Sequence, residues 1–274
     1  MLPLNDRPIG VFDSGLGGLT VARAMRQRLP GENLIYLGDT ARVPYGVKSA
    51  VTVRRFAVEA MLFLLNQGVK MIVVACNTVS AVALPHLREL LRAPLVGVVE
   101  PGAKAALRAS TTHRIGVIGT PSTIKSGAYI AELLRWNSQV QVWGRACPLL
   151  VPLVEEGRLG GEVVELTLNE YLKPLLKQKI DVLILGCTHY PLLKPAIQKA
   201  CGPNIVLVDS AESTAEEVEA VLLRESLLRT HGKGTVECWV TDRSAHFNTL
   251  ARRFFGNGLG RVRYCDITDA QSRF

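Results

Sequence analysis

Short apolar runs alternate with helix-like stretches along most of this 274-residue chain, and no other feature constrains the fold as strongly. Continuous apolar runs are typical of strands buried on both faces of a parallel sheet. We predict strands over 9–12, 34–37, 71–75, 95–99, 115–118, 140–142, 182–185 and 205–208, and helices over 19–29, 51–67 and 162–178. Because strands that alternate with helices build βαβ units, the predicted fold class is α/β with mostly parallel sheets flanked by helices.

Two pairs of segments also repeat in the same order. The strand that begins at Ile9 resembles the one that begins at Ile115, 106 residues later. The segment that leads into Cys76 resembles the segment that leads into Cys187, 111 residues later. A single match could arise between any two apolar strands, but two ordered matches at similar offsets indicate a duplicated α/β unit.

The duplication predicts two pseudo-symmetric domains with the active site in the cleft between them. The first comprises residues 1–97 and 209–274, and the second comprises residues 98–208. Ligands of open α/β sheets bind beyond the carboxyl ends of the strands. Cys76 and Cys187 lie at such ends, so we expect the two thiols to approach one ligand from opposite sides.

The composition excludes several classes of protein. Hydrophobic residues make up 48% and charged residues 20%, which is typical of globular rather than disordered chains. No apolar run reaches the roughly 18 residues of a transmembrane helix, and the first residues lack the pattern of a secretory signal. We therefore expect a soluble, cytoplasmic protein without a membrane partner.

The chain is basic, with 32 Lys and Arg against 24 acids and a net charge of +8. Such a charge admits nucleic acid, an anionic membrane or an acidic small molecule as partner. Nine basic and five acidic residues lie in 224–274, so half of the excess lies outside the motifs described below. Because no nucleic-acid-binding signature is visible, we expect an anionic small molecule rather than nucleic acid.

The six cysteines differ in their contexts. The lack of an export signal argues against a disulfide framework, and the lack of C-x-x-C argues against a structural zinc site. Four are interpreted as small buried hydrophobic residues: Cys147, Cys201, Cys238 and Cys265. Cys76 and Cys187 each follow a buried strand and precede hydrogen-bonding side chains, which predicts a lowered thiol pKa at both positions.

Two thiols on opposite sides of one ligand favour racemisation. A racemase removes a proton from one face of a carbon and returns another to the opposite face, which a thiolate and a thiol accomplish together. The roles exchange in the reverse direction, so the two halves should be alike. We expect Asp13 to assist Cys76 and His189 to assist Cys187.

Glu155 and Glu156 follow an apolar stretch and offer further carboxylates. Each assisting residue also has a purely structural interpretation. Asp13 could cap a helix, His189 could be a turn residue, and the two glutamates could begin a solvated helix.

The Gly-rich segment 13–18 leads into the first predicted helix. It departs from a dinucleotide fingerprint because Asp13 occupies the first Gly position, and a P-loop lysine is absent. We expect polar side chains to bind the charged ends of an amino acid instead: Ser14, Asn77, Thr78, Thr120 and Thr188. The loop 41–46 is expected to close over this ligand with its backbone and Tyr45.

Six motifs carry a resemblance to a known family. They are VFDSGLGG at 11–18, DTARVPYG at 39–46, ACNT at 75–78, GVVEPG at 97–102, PLVEEG at 152–157 and GCTHYPL at 186–192. In this order they resemble the cofactor-independent glutamate racemases of the aspartate/glutamate racemase superfamily. Val79 stands where the family usually has Ala, which affects packing only, and the chain after about residue 210 resembles the family loosely.

The resemblance implies that Cys76 and Cys187 are the catalytic acid–bases and that Asp13, Glu155 and His189 assist them. It also implies the residues around the bound glutamate: Asp13, Ser14, Pro44, Tyr45, Gly46, Asn77, Thr78, Thr120, Thr123, Thr188 and His189. It further implies production of D-glutamate for bacterial peptidoglycan, no metal, pyridoxal phosphate or nucleotide as cofactor, and assembly as a homodimer.

Three alternatives stay open from the sequence. Another racemase of the superfamily would act on aspartate or a hydantoin. A metal site would use Asp13, Cys76, Cys187 and His189, although these lack the usual ligand spacing. A nucleic-acid-binding protein would depend on the net charge, and its binding would weaken steeply with salt.

Overall fold

The structure, a computed structural model, describes residues 3–243 and 247–268 and contains two sheets. The first sheet comprises β1 (Ile9–Asp13), β2 (Leu34–Gly38), β3 (Met71–Val74), β4 (Leu95–Gly97), β9 (Val236–Val240) and β10 (Val262–Tyr264). The second comprises β5 (Arg114–Gly119), β6 (Gln141–Ala146), β7 (Val182–Gly186) and β8 (Val206–Asp209). The strand pairs of both sheets are parallel, so the predicted α/β class is confirmed.

The two sheets share one strand order. Four neighbouring strands of the first sheet run β2-β1-β3-β4, and the second sheet runs β6-β5-β7-β8. In this correspondence β1 matches β5 and β3 matches β7, which are the same pairs that repeat in the sequence. β9 and β10 extend the first sheet beyond β2. The domain boundaries given above stay a prediction.

Helices occupy most of the chain between the strands. They are α1 (Leu19–Arg28), α2 (Ala50–Asn66), α3 (Asn77–Val82), α4 (Leu84–Leu90), α5 (Val99–Ala109), α6 (Pro121–Lys125), α7 (Ala128–Trp136), α8 (Leu150–Glu155), α9 (Glu162–Leu176), α10 (Lys194–Cys201), α11 (Ser210–Arg224) and α12 (Phe247–Phe255). Short 3₁₀ turns lie at Leu4–Asp6, Thr40–Arg42, Tyr45–Val47 and Tyr190–Leu193.

The ends of α2 follow from its sequence. The hydroxyl of Ser49 accepts a hydrogen bond from the backbone N–H of Thr52 and so caps the first turn. The helix ends just before Gly68, whose φ of 72° is accessible to glycine at little cost. The helix predicted over 51–67 is therefore confirmed to within a residue at each end.

Helix α11 connects the two halves of the molecule. It packs on α1, which connects β1 and β2 of the first sheet, and on α5, which precedes β5 of the second sheet. Its buried face includes Val218 and Leu222, both 0% exposed. Burial of apolar surface of this kind stabilises the arrangement by about 25 cal/mol per Å².

One strand prediction needs correction, and two strands were not predicted. The strand predicted over 95–99 ends at Gly97, and Val99 begins α5 instead. β9 and β10 were not predicted, because β9 alternates buried with half-buried residues and β10 has only three residues, none of them buried. Such strands lack the continuous apolar run that marks the central strands.

Within residues 3–243 and 247–268, no helix combines the length and the apolar character needed to cross a bilayer. All six cysteines are free. Cys147, Cys238 and Cys265 are buried as predicted, whereas Cys201, at the end of α10, is only partly buried.

Candidate active site

A cavity of about 240 Å³ lies at the carboxyl ends of the central strands of both sheets. Twelve of the predicted site residues line it: Ser14, Pro44, Tyr45, Gly46, Cys76, Asn77, Thr78, Thr120, Glu155, Cys187, Thr188 and His189. Cys76 follows β3 of the first sheet, and Cys187 follows β7 of the second. Each sheet therefore contributes one thiol to the wall of the same cavity.

Asp13 lies behind the cavity wall, where it is 1% exposed. Its Oδ1 accepts a hydrogen bond from the backbone N–H of Gly15 at 2.9 Å, and its Oδ2 accepts one from the Thr188 hydroxyl at 3.5 Å. Burial raises the pKa of Asp13, although the charge of His189 opposes this effect. Because α1 begins at Leu19 without a side-chain cap, the interpretation of Asp13 as a helix N-cap is wrong.

Thr123 also lies behind the wall, in a cluster of three hydroxyl groups. Its Oγ1 is 2.9 Å from that of Thr120 and 3.3 Å from that of Thr78, and the latter two are 2.9 Å apart. Thr78 belongs to α3 and Thr120 follows β5, so the cluster joins segments from the two sheets across the cavity.

The Cys76 thiol is buried and lies near a carboxyl group. It is 5% exposed, and its Sγ contacts the Ser14 Oγ at 3.4 Å. Burial, with a further contribution from the Asp13 carboxylate, raises the pKa of Cys76 to about 12. The predicted lowering is therefore wrong for Cys76, because desolvation outweighs the hydrogen bonds that favour the thiolate.

Cys187 has a different neighbour. The Nδ1 of His189 lies 3.9 Å from its Sγ, and the Nε2 of His189 lies 3.1 Å from the Glu155 Oε1. Burial by itself would lower the pKa of His189, but the hydrogen bonds to Cys187 and Glu155 raise it to about 10. An imidazolium at this position places a positive charge beside the Cys187 sulfur.

The structure contradicts the interpretations of His189 as a turn residue and of Glu155 as the start of a solvated helix. The imidazole of His189 bridges the thiol and the carboxylate instead of stabilising its own turn. Glu155 is the last residue of α8, not the start of a helix, and Glu156 caps its C-terminus. The two thiols thus face opposite electrostatic surroundings: an acidic side chain for Cys76 and a cationic one for Cys187.

The loop around Tyr45 forms one wall of the cavity and is held from behind. The Tyr45 hydroxyl donates to the Asp39 carboxylate, which also accepts from the Arg42 Nε at 2.6 Å and from the Thr241 hydroxyl at 2.8 Å. Arg42 is paired in addition with Glu59. The proton of the Tyr45 hydroxyl is therefore used in the hydrogen bond to Asp39, and Tyr45 is 1% exposed.

Several cavity residues were not predicted from the sequence. They are Gly15, Val47, Pro121, Pro148, Val151 and Pro152. Most form apolar walls around the polar groups and lie within or beside the six motifs. Nothing in their residue types distinguishes them from other surface or core positions, so only their placement assigns them to the site.

Gly17 lies at a close approach between the two halves of the site. A methyl group built at this position would lie 2.3 Å from the Thr188 Oγ1 and 2.6 Å from the His189 Nδ1. Gly160, by contrast, has no heavy atom within 4 Å of such a methyl group. The absence of a side chain at Gly17 is therefore a requirement of the site.

We expect Gly17→Ala to lower kcat/KM by about 100-fold, because it displaces Thr188 and His189 by a fraction of an ångström or more. Steady-state kinetics of the purified variant check this. Gly160→Ala provides the matched control and should retain the activity of the unmodified protein. Equal activity of the two variants would contradict the close approach.

The residues of the metal alternative do not form such a site. Across the described ranges, no group of three or more His, Cys, Asp or Glu side chains has the geometry to hold a metal ion.

A parallel α/β fold whose two sheets each present a thiol to one cavity is the arrangement expected of a two-base racemase. The model of the Asp/Glu/hydantoin racemase family matches residues 9–218. The chain belongs to this family, and the resemblance carried by the six motifs is confirmed.

Individual relatives agree with the family match. The glutamate racemase of Neisseria meningitidis serogroup A is 50% identical over 263 residues, which cover 95% of this chain and 97% of that protein. The crystal structure of glutamate racemase from Francisella tularensis in complex with D-glutamate is 37% identical, with a TM-score of 0.91 over 96% of this chain and 98% of that one. The corresponding structure from Thermus thermophilus, in complex with β-chloro-D-alanine, is 48% identical, with a TM-score of 0.87 over 97% and 99% of the two chains.

Proposed function

We propose that this protein interconverts L- and D-glutamate without a cofactor, using Cys76 and Cys187 as opposed acid–bases. The observation that carries the proposal is the placement of two thiols, one from each sheet, on the wall of a single cavity. Relatives of about 50% identity over most of the chain are glutamate racemases, which supports glutamate as the substrate.

The proposed reaction has two proton transfers. The thiolate of one cysteine takes the proton from the α-carbon of glutamate, and the electron pair of the broken C–H bond passes into the adjacent carboxylate. The thiol of the other cysteine then gives its proton to the opposite face of that carbon. The substrate is inverted, and the two cysteines have exchanged protonation states.

The assisting residues fit this sequence of steps. Glu155 helps to keep His189 charged, and His189 places that positive charge beside the Cys187 sulfur, so we assign Cys187 as the base for one direction. The raised pKa of Cys76 keeps its thiol protonated, so this side is prepared to donate. For the reverse direction Cys76 must become the base. We assign the neighbouring Asp13 carboxyl group to assist the deprotonation of this thiol.

The polar wall suits an anionic amino acid. Hydroxyl and amide groups of Ser14, Asn77, Thr78, Thr120 and Thr188 line the cavity and can donate hydrogen bonds to carboxylates. The imidazolium of His189 adds a positive charge. We extend the proposal to a cytoplasmic homodimer that supplies D-glutamate for peptidoglycan, which the family resemblance supports.

Each enantiomer of glutamate is expected to gain one deuterium at the α-carbon as it racemises in heavy water, because the donated proton comes from a thiol that exchanges with solvent. Proton NMR and circular dichroism of one sample follow exchange and inversion together. Incubation with aspartate under the same conditions separates glutamate from the alternative substrate. Inversion of glutamate without deuterium uptake would overturn the two-base reaction.

A further inference from the structure

Tyr129 lies between the two cysteine-bearing segments although it does not line the cavity. It belongs to α7 and is 3% exposed. Its hydroxyl donates to the Oδ1 of Asn77 at 2.7 Å, and Asn77 directly follows Cys76. Its ring packs on Gly186, which directly precedes Cys187: a methyl group built there would lie 3.1 Å from the Tyr129 Cε2. One side chain therefore contacts both segments.

We propose that Tyr129 is a positioning residue that turns the amide NH₂ group of Asn77 toward a carboxylate of the substrate and fixes the separation of the two cysteine-bearing segments. The inference rests on the proposed function, since it assigns a binding role within that cavity.

The directions of the hydrogen bonds support the first part of the proposal, which is the orientation of the Asn77 amide. A side-chain amide has one acceptor oxygen and one NH₂ donor on opposite edges. Because the Oδ1 of Asn77 accepts from Tyr129, its NH₂ group points away from Tyr129, toward the cavity that Asn77 lines. The Ser210 Oγ lies 3.2 Å from the Tyr129 oxygen and completes its hydrogen bonding by donating to it. Burial raises the pKa of Tyr129, so the phenol remains a donor.

The packing around the Tyr129 ring supports the second part of the proposal, which is the fixed separation of the two cysteine-bearing segments. A methyl group built at Gly102 would lie 2.6 Å from the Ser210 Oγ and 3.5 Å from the Tyr129 hydroxyl oxygen. One built at Gly186 would also lie 2.7 Å from the backbone oxygen of Ile118. Both glycines thus leave room for Tyr129 and Ser210, so the ring packs directly between the two segments.

Tyr129→Phe keeps the ring and removes only the hydroxyl. We expect the KM for glutamate to rise about tenfold, as for loss of one buried hydrogen bond. We expect kcat to change less than about threefold, because the Asn77 contact is made in the ground state and the transition state alike. Tyr171→Phe is the matched control: its part-buried hydroxyl accepts a hydrogen bond from the Leu149 N–H at 3.4 Å, outside the cavity lining, and its KM should be unchanged.

Two further variants separate positioning from general stabilisation. In the Asn77→Ala background, Tyr129→Phe should cause no additional rise in KM, because the amide that it orients is gone. Asn77→Asp keeps an acceptor for Tyr129 but replaces the NH₂ donor with a negative charge, so its KM should rise more than that of Tyr129→Phe.

Three results would overturn the inference while the unmodified protein still racemises glutamate. They are a KM within twofold of normal for Tyr129→Phe, an undiminished effect of Tyr129→Phe in the Asn77→Ala background, and a normal KM for Asn77→Asp. Absence of racemisation by the unmodified protein would instead reject the proposed function. Thermal unfolding of every variant accompanies the kinetics, and Asn77→Asp tests the orientation of the amide even if Tyr129→Phe folds poorly.

Discussion

Replacing Cys76 or Cys187 with alanine is expected to abolish the racemisation of both enantiomers of glutamate, lowering kcat at least about 1,000-fold. A positioned acid or base contributes roughly 10²–10⁴ in rate, and each direction of the reaction needs both thiols. Either variant therefore removes a group that takes part in both directions. Circular dichroism of each enantiomer over time measures the loss.

The effect should be specific to these two thiols. Cys201→Ala removes a cysteine from the end of α10, outside the cavity, and should leave the rate within about twofold of normal. Thermal unfolding of the three variants shows whether the fold is retained. Full activity of Cys76→Ala or of Cys187→Ala would reject the two-thiol reaction.

Replacing His189 with asparagine is expected to lower kcat/KM by about 100-fold in both directions. The variant removes the cation that lies beside the Cys187 sulfur, and a correctly positioned assisting group contributes roughly 10²–10⁴ in rate. The decrease must be equal for the two substrates, because L- and D-glutamate have equal free energies and kcat/KM is then the same in both directions. His86→Asn, on the exposed surface of α4, should have no effect.

The pH dependence provides an independent check on His189. Its pKa of about 10 keeps the imidazolium charged through neutral pH, and the charge is lost as the pH rises through that value. Activity that depends on this charge should therefore fall at alkaline pH. Glu155→Gln removes one of the groups that raise the pKa, so the fall should move to lower pH. An unchanged rate for His189→Asn, or an unmoved alkaline limb for Glu155→Gln, would contradict this role.

Most of the strands, three of the helices and the position of the two thiols could be predicted because each depends on neighbouring residues. The continuous apolar run 71–75 marks β3, and the same pattern marks β7 at 182–185. Both runs are followed by a cysteine and then by polar side chains, so the candidate site could be recognised before any contact was known. β10 could not be recognised, because three residues of which none is buried carry no such pattern.

The electrostatic state of the site could not be predicted in the same way. Cys76 and Cys187 occupy similar local sequences, which predict similar lowered pKa values. The structure buries Cys76 near the Asp13 carboxylate, and it brings Glu155 from α8 to His189 beside Cys187. Desolvation and charge depend on atoms that are distant in the chain.

By itself, the sequence determined the α/β class, the duplicated unit, and the two cysteines with most of the polar residues around them. These properties follow from local hydrophobic patterns and from side chains at strand ends. Only the tertiary structure decided which groups lie behind the cavity wall, that the two thiols have unlike surroundings, and that Tyr129 spans both segments. The reason is physical: hydrogen bonds, burial and close approach at Gly17 depend on how the two sheets pack together, and no segment specifies that alone.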